Sequence, residues 1–229
     1  MNNQKTSDPV ALVTGASGGI GAALAKQLAA SGYILVLMGR KVPRLEQLYD
    51  QIVAAGGTEP AILPLDFAKA DWQQYEEIAE TLRTEFGRLD LLIHAAADFR
   101  GLQPLMDLDL NDWARQLHVN LTVPYLLTRA VVPLLASTTD ARVVFLGDAV
   151  ATSPRAYWGA YSVAKSGQIN LAGVLGAELE HLGIAVRHLM VAPTATALRE
   201  QAFPAEAAAS INSVDQTALQ LLKALGIPD

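Results

Sequence analysis

The sequence predicts an α/β protein built on a doubly wound parallel sheet, in which helices cover both faces of parallel strands. Three observations favour this fold class. Short apolar runs alternate with longer amphipathic segments along the chain, which is typical of repeated strand–helix–strand units. The apolar runs lack polar alternation, as expected for strands buried on both faces. A glycine-rich turn directly follows the first run, and glycine lets a chain turn sharply from strand to helix.

Six segments are predicted as buried strands because they are short and rich in Val, Ile and Leu. They are Val10–Val13, Ile34–Met38, Ala61–Leu65, Leu89–Ile93, Val143–Leu146 and Val186–Val191. Helices are predicted near residues 19–31, 42–55, 70–86, 110–136, 159–182 and 214–225. No repeat, low-complexity tract or long linker divides the chain, so residues 1–229 are predicted to form one domain, with residues 1–7 flexible.

The composition argues against several function classes. With 229 residues, 51% hydrophobic and 17% charged, the chain can bury a core without covalent cross-links. It contains no cysteine, which excludes disulfides, thiol catalysis and cysteine-ligated metals, and we predict no metal site. A net charge of −6 without a basic run argues against a nucleic-acid partner. No apolar stretch approaches the ~20 residues of a membrane helix. The N-terminus lacks a signal core, so a cytoplasmic location is predicted.

A glycine-rich turn from Thr14 to Gly21 connects the first strand to the first helix. Its glycines let the backbone approach a pyrophosphate, whose charge the N–H groups and positive dipole end of the helix can bind. Because the turn follows the first strand of a strand–helix alternation, a dinucleotide site is favoured over a helix start without a ligand.

The second strand ends at Met38-Gly39-Arg40-Lys41, a position that distinguishes NAD from NADP. A site for NAD places a carboxylate here for the ribose 2′-hydroxyl, whereas a site for NADP supplies cationic donors for the 2′-phosphate. The acid is missing, Gly39 leaves room, and the Arg40 guanidinium suits a phosphate dianion. We therefore predict NADP(H) as cofactor; the alternative is that Arg40 is only a solvated charge.

These motifs, together with Tyr161-Ser162-Val163-Ala164-Lys165, make the chain resemble the short-chain dehydrogenase/reductase family over residues 8–204. Trp158-Gly159-Ala160 and Ala202-Phe203-Pro204 are similar to a bacterial oxidoreductase branch of undefined substrate. The resemblance implies a Rossmann-type sheet of order 3-2-1-4-5-6, here without the usual seventh strand. It implies cofactor contacts at Gly15, Ser17, Gly19, Ile20, Gly21, Arg40, Asp66, Ala95, Lys165 and Thr196.

Three further candidate positions lie just after predicted strands. The resemblance places Asp66 at the adenine edge, although this aspartate could equally cap the helix that follows. Thr196 is the candidate for the nicotinamide carboxamide contact, although the loop before it departs from the family's Pro-Gly pattern. His94 stands where the family has asparagine, and we interpret it as a hydrogen-bonded core histidine and not as a catalyst.

Tyr161 and Lys165 are the predicted catalytic pair. Positions i and i+4 share a helix face, so the hydroxyl and the ammonium can point into one cleft. A free tyrosine titrates near ~10, and a nearby cation is expected to lower the pKa of Tyr161. Tyr161 would then protonate a carbonyl oxygen while NADPH delivers hydride to the carbon. The resemblance implies that Lys165 also holds the nicotinamide ribose.

Asn120 is the third predicted catalytic residue, at the position where the family holds a proton-relay water. Pro124 has no N–H, so the carbonyl of Asn120 loses its partner within the helix. This carbonyl could bind the water and link Lys165 to solvent. The alternative is that the kink only shapes packing.

Asp148 is the fourth predicted site residue, and it breaks the family pattern. The family has a serine thirteen residues before its tyrosine, and counting back from Tyr161 gives Asp148. An ionised Asp148 would repel a developing oxyanion and raise the pKa of Tyr161, whereas a protonated one could donate the missing hydrogen bond. Two other interpretations stay open: Thr152 or Ser153 replaces the serine, or turnover is slow or absent.

The leading hypothesis is an NADP(H)-dependent oxidoreductase acting on a small carbonyl or alcohol. A binding protein that keeps the dinucleotide without efficient turnover is the second, and a lyase or epimerase the third. Substrate-facing residues are expected in the loops at 98–105, 148–157 and 193–210. A homodimer through the helices that carry Asn120 and Tyr161 is predicted, because small residues on the second helix allow close approach.

Overall fold

The computed structural model describes residues 8–228, so the predicted flexibility of residues 1–7 lies outside the described range. Within it, six strands form a parallel sheet in the order β3-β2-β1-β4-β5-β6. The strands are β1 (Val10–Thr14), β2 (Ile34–Gly39), β3 (Ala61–Pro64), β4 (Leu91–His94), β5 (Arg142–Gly147) and β6 (Ala185–Met190). The predicted fold class and strand order are confirmed, and β6 is an edge strand of the described sheet.

The helices follow the predicted segments with two differences. They are α1 (Gly19–Ala30), α2 (Val42–Ala54), α3 (Trp72–Glu85), α4 (Leu110–Leu117), α5 (Val123–Leu135), α6 (Gly159–Leu179), α7 (Ala197–Ala202) and α8 (Val214–Ala224). The single helix predicted at 110–136 is interrupted by a π-helical turn at His118–Thr122, next to Pro124, which cannot donate a helical hydrogen bond. The short helix α7 was missed. In residues 8–228 no helix is both long and apolar enough to cross a bilayer.

The core lies on both faces of the sheet because successive strand residues point to opposite sides. Phe145 belongs to the cluster beneath α3, α5 and α6, whereas its neighbour Val144 belongs to the cluster beneath α1, α2 and α8. Both side chains are fully buried. Continuous apolar strands therefore reflect burial on two faces, as the sequence predicts.

The parallel strands bring their carboxyl ends to one edge of the sheet, where the strand order reverses between β1 and β4. Ligands of open α/β sheets bind in the crevice at such a point. Residues that follow each of the six strands line one cleft at this edge, which we call the C-terminal cleft: Gly15, Arg40, Asp66, Ala95, Asp148 and Val191.

Candidate active site

The glycine-rich turn between β1 and α1 forms one end of the C-terminal cleft. A Cβ atom at Gly15 would lie 2.7 Å from the backbone nitrogen of Ala96, and one at Gly21 would lie 2.5 Å from the Gly15 carbonyl oxygen. Both positions therefore need glycine for close backbone approach. Gly15, Ser17, Gly19 and Ile20 line the cleft. Gly21 does not line the cleft and packs beneath the turn, and its contact with a cofactor stays a prediction.

Three cations surround the end of β2, beside the glycine turn. Arg40, Lys41 and Arg44 are exposed and line the cleft. Among residues 8–228 no carboxylate lies within ion-pair distance of any of them. The space beside Gly39 faces Ser17, whose hydroxyl oxygen would lie 3.2 Å from an added Cβ. Arg44 was not predicted as a site residue, although its position four residues after Arg40, in the first turn of α2, was a usable signal.

The ends of β3 and β4 contribute Asp66 and Ala95 to the cleft. The Asp66 carboxylate accepts a hydrogen bond from the Ala68 N–H at 3.2 Å. The cap of α3 is Asp71, which accepts from the Gln74 N–H, so the interpretation of Asp66 as the cap of that helix is wrong. The Ala95 N–H donates to the Thr14 hydroxyl at 3.1 Å, which fixes the loop after β4 against β1.

Tyr161, Lys165 and Asp148 come together at the centre of the cleft. The Tyr161 hydroxyl donates to Asp148 Oδ2 at 3.2 Å, and Lys165 Nζ lies 5.8 Å from the centre of the tyrosine ring. Burial and, next, the Asp148 charge raise the pKa of Tyr161 well above 10. The pKa of Tyr161 thus shifts against the direction expected from Lys165 and in the direction expected from an ionised Asp148.

Lys165 is held in place by acceptors that carry no charge. Its ammonium donates to the Leu146 carbonyl at 2.9 Å and to Gln168 Oε1 at 3.1 Å. Burial lowers the pKa of Lys165 to about 8, and Asp148 opposes that shift. The ammonium is thus fixed at the base of the cleft, where it is only 4% exposed.

Asn120 lies in the π-helical turn and is fully buried, so it does not line the cleft. Its amide donates to the carbonyls of Asp98 and Gln116 and accepts from the Asp98 N–H, which ties α4 to the loop after β4. The backbone carbonyl freed near Pro124 accepts a hydrogen bond from the Gln168 amide. The buried Gln168 side chain therefore bridges the Lys165 ammonium and the Asn120 carbonyl, at the place where the sequence suggested a water.

Both oxygens of Asp148 accept hydrogen bonds. Oδ1 accepts from the Val150 N–H at 3.2 Å, and Oδ2 accepts from Tyr161. Asp148 thus stands in hydrogen-bond contact with the Tyr161 hydroxyl, at the position where the family has serine. The Thr152 hydroxyl donates to the Ala149 carbonyl at 3.3 Å and Ser153 is exposed, so neither is bonded to Tyr161 in place of the family serine.

The loop after β6 closes one side of the cleft through Thr196 and Arg199. The Thr196 hydroxyl accepts from the Arg199 N–H at 3.2 Å and caps α7. The Arg199 guanidinium binds both oxygens of Glu206, at 2.6 and 2.7 Å, and lies 4.1 Å above the Phe203 ring. Arg199 and Gln168 were missed in the sequence because their positions depend on contacts between distant segments.

His94 confirms the interpretation of a core histidine. It is 2% exposed, stacks on Phe145 and shares a hydrogen bond of 2.8 Å with the Thr128 hydroxyl. Burial, with a smaller contribution from the Lys165 charge, lowers its pKa to about 3. The ring is therefore neutral and structural at ordinary pH.

The sheet order, the glycine turn and the cleft at the strand ends together define a dinucleotide-binding α/β protein of the Rossmann type. Residues 9–207 match the family model described as short chain dehydrogenase. The chain belongs to this family of oxidoreductases, as the resemblance predicted.

Comparison with individual proteins agrees with this assignment. The chain is 30% identical over 200 residues to the uncharacterized oxidoreductase YciK of Escherichia coli K12, covering 87% of this chain and 79% of that protein. A short chain dehydrogenase structure from Pseudomonas syringae superimposes with a TM-score of 0.90 at 36% identity, covering 97% and 92% of the two chains. A short chain dehydrogenase structure from Escherichia coli CFT073, in complex with NADPH, superimposes with a TM-score of 0.89 at 28% identity. The match covers 98% of this chain and 91% of that chain.

Proposed function

We propose that this protein is an NADP(H)-dependent oxidoreductase that transfers hydride between the nicotinamide and a small carbonyl or alcohol, with Tyr161 as acid and base. The observation that carries the proposal is the placement of Tyr161, Lys165 and Asp148 in the same cleft as the glycine turn. A proton donor and a dinucleotide cradle that share one cleft are what hydride transfer to a carbonyl requires.

The cofactor fits the residues at the glycine-turn end of the cleft. Gly15, Ser17, Gly19 and Ile20 would hold the pyrophosphate at the start of α1. Arg40, with Lys41 and Arg44 beside it, would hold the 2′-phosphate, because these cations lack an acidic partner in residues 8–228. The NADPH-bound relative from Escherichia coli CFT073 supports the same preference.

Asp66, Ala95, Lys165 and Thr196 are proposed to contact the remaining parts of the cofactor, since all of them line the cleft. Bound NADPH supplies the hydride. Tyr161 would supply a proton at the substrate oxygen, from a side chain that is only 3% exposed. Asn120 acts indirectly, through the Gln168 bridge that positions Lys165.

A second candidate is a dinucleotide-binding protein without efficient turnover. The raised pKa of Tyr161, caused by burial and Asp148, favours this alternative because it keeps the phenol from accepting a proton near neutrality. The lyase or epimerase hypothesis gains no specific support from the contacts in the cleft.

The deciding experiment is a fluorescence titration with NADPH, followed by NADPH consumption with a panel of small ketones and aldehydes. We expect binding and consumption by the native protein, and unchanged binding with at least 100-fold slower consumption for Tyr161→Phe, because the loss of a positioned acid costs roughly 10²–10⁴-fold. If the native protein and Tyr161→Phe bind NADPH equally well and neither consumes it, the binding-protein candidate is favoured.

The homodimer is also proposed, through α6 and the helical region that carries Asn120. Val163 and Val174 on α6 are each 48% exposed, and Gly173 beside them is open to solvent. Exposed apolar and small side chains on one helix suit a self-complementary contact. The cytoplasmic location stays a prediction.

A further inference from the structure

We infer that the substrate of this site carries a C=N bond that is protonated when it binds, and that the Asp148 carboxylate is its counter-ion. The inference rests on the NADP(H)-dependent hydride transfer proposed above, and it puts a C=N bond in the place of the carbonyl as the bond that is reduced. It begins from the Tyr161–Asp148 contact, which puts an acceptor-only side chain beside the proposed proton donor.

Asp148 is the carboxylate whose charge is directed at the reacting end of the cleft. Asp98 also lines the cleft, but it is bound to Arg100 and Arg115 at 3.2 and 3.3 Å. Asp66 follows β3, and Asp148 follows β5. The two strands lie on opposite sides of the point between β1 and β4 where the strand order reverses. Within residues 8–228, the hydrogen bonds of Asp148 come from the neutral N–H of Val150 and the hydroxyl of Tyr161. The Asp148 charge acts on Lys165 and Arg199 from a distance, but no cation of these residues lies within ion-pair distance of it.

The nearby cations are engaged elsewhere. The Lys165 ammonium donates to Leu146 and Gln168 and is 4% exposed. The Arg199 guanidinium is bound to both oxygens of Glu206. A substrate cation could thus contact Asp148 without displacing an existing ion pair.

The surroundings of this pair strengthen its attraction for a cation. The Tyr161 ring packs against Phe99 and Trp158, with ring centres 5.4 and 5.9 Å apart, and Trp158 also packs against Phe203. These residues form an apolar cluster behind the Asp148–Tyr161 pair. A carboxylate beside such a surface is less screened than one in water, so a cationic partner is bound more strongly.

Charge complementarity then separates the two substrate classes. Ketone reduction builds negative charge on oxygen beside Asp148, which a carboxylate opposes. A protonated C=N bond brings positive charge, which the carboxylate attracts, and that charge is lost as the reaction proceeds. Hydride from NADPH forms the new C–H bond, the π electrons of C=N become the lone pair of a neutral amine, and NADP⁺ is left. No proton leaves Tyr161 in this step, so the high pKa of the phenol does not hinder it.

The experiment compares cyclic imines with ketones of the same ring size: 1-pyrroline with cyclopentanone, 2,3,4,5-tetrahydropyridine with cyclohexanone, and 3,4-dihydroisoquinoline with 1-tetralone. We expect at least 10-fold faster NADPH oxidation with the imine of the best pair. Asp148→Ser should shift the imine-to-ketone ratio at least 10-fold toward the ketone, and Asp148→Asn should lower imine reduction at least 10-fold. Asp50→Asn, an exposed aspartate on α2, is the matched control and should change nothing.

A binding measurement makes the result independent of turnover. Protonated 1,2,3,4-tetrahydroisoquinoline should bind the NADP⁺-loaded protein at least 10-fold more tightly than it binds the loaded Asp148→Asn variant, as measured by calorimetry. Reduction of ketones alone, with amine binding insensitive to Asp148, would overturn the inference and leave the oxidoreductase proposal standing. Asp148-dependent amine binding without reduction of any probe would support the counter-ion and overturn the oxidoreductase proposal.

Discussion

Single charged residues in the C-terminal cleft differ in whether they already have a partner. Arg199 is neutralised by Glu206 at 2.6 Å, and Lys165 is held by uncharged acceptors. Arg40 and Arg44 have no acidic partner within the described part of the chain. Cations left without partners at the end of β2 are therefore available to a phosphate.

Replacing Arg40 tests the cofactor preference directly. Arg40→Ala should weaken NADPH binding roughly 10- to 100-fold, because a hydrogen bond between charged groups is worth about 1.5–3 kcal/mol. NADH binding should change less than about two-fold, since NADH lacks the 2′-phosphate. Arg44→Ala should act in the same direction, and Lys223→Ala, exposed on α8, serves as the control. Fluorescence titration measures the binding of both cofactors by the native protein and the three variants. Equal losses of NADPH and NADH affinity in Arg40→Ala would contradict the assignment of NADP(H).

Replacing Gln168 tests the buried bridge behind Lys165. Gln168→Leu should lower the free energy of unfolding by about 1–3 kcal/mol, because the Asn120 carbonyl and the Lys165 ammonium each lose a buried partner. Gln51→Leu, the same change at an exposed position of α2, should change it by less than about 0.5 kcal/mol. Urea unfolding measures both free energies of unfolding. Similar losses in the two variants would show that the Gln168 bridge has no special structural role.

At the scale of elements, the interrupted helix between α4 and α5 joins the fold to the site. The π-helical turn at His118–Thr122 places the Asn120 side chain against Asp98 and turns its carbonyl toward Gln168 on α6. In a regular helix this carbonyl would accept from residue 124, but Pro124 has no N–H to donate. The irregularity thus connects the loop after β4 with the helix that carries Tyr161.

The exposed face of α6 is the element on which the proposed dimer depends. Val163 and Val174 are eleven positions apart, close to three helical turns, so they lie on one face. Val174→Glu should convert a dimer to a monomer, because it would bury charges at a symmetric contact. Leu219→Glu, at a similarly exposed apolar position on α8, should leave the mass unchanged. Light scattering at micromolar concentration checks this, and a monomeric native protein would refute it.

At the scale of the whole molecule, His94 makes the free energy of unfolding depend on pH. Its pKa is lowered by burial to about 3, from 6.5 in the unfolded chain. The stabilising contribution of the neutral ring is complete above pH 6.5 and is lost as pH falls from 6.5 toward 3, because only the unfolded chain binds the proton there.

Urea unfolding at pH 7 and pH 4 tests this link. Between these two values the native protein should lose on the order of 3 kcal/mol more stability than His94→Gln, which cannot titrate. His181→Gln, an exposed control, should behave like the native protein. Identical acid sensitivity in the native protein and His94→Gln would show that His94 is not the group responsible.

The sequence by itself determined the fold class and the place of the cleft, and the family resemblance supplied the strand order. Apolar runs predicted strands buried on two faces, and the glycine turn predicted a helix start at the end of β1. These features depend on local backbone geometry and periodic burial, which the order of residues encodes directly. The resemblance then identified Tyr161 and Lys165, which the structure brings into that cleft.

Only the tertiary structure decided how the site residues are partnered. Gln168 reaches the Asn120 carbonyl across 48 positions of sequence, and Asp148 contacts Tyr161 from a different element. The direction of the pKa shift of Tyr161 depends on that contact and on burial. The resemblance placed Asp148 near Tyr161, but the Gln168 bridge and the extent of burial arise from packing between distant segments, which no local pattern in the chain reveals.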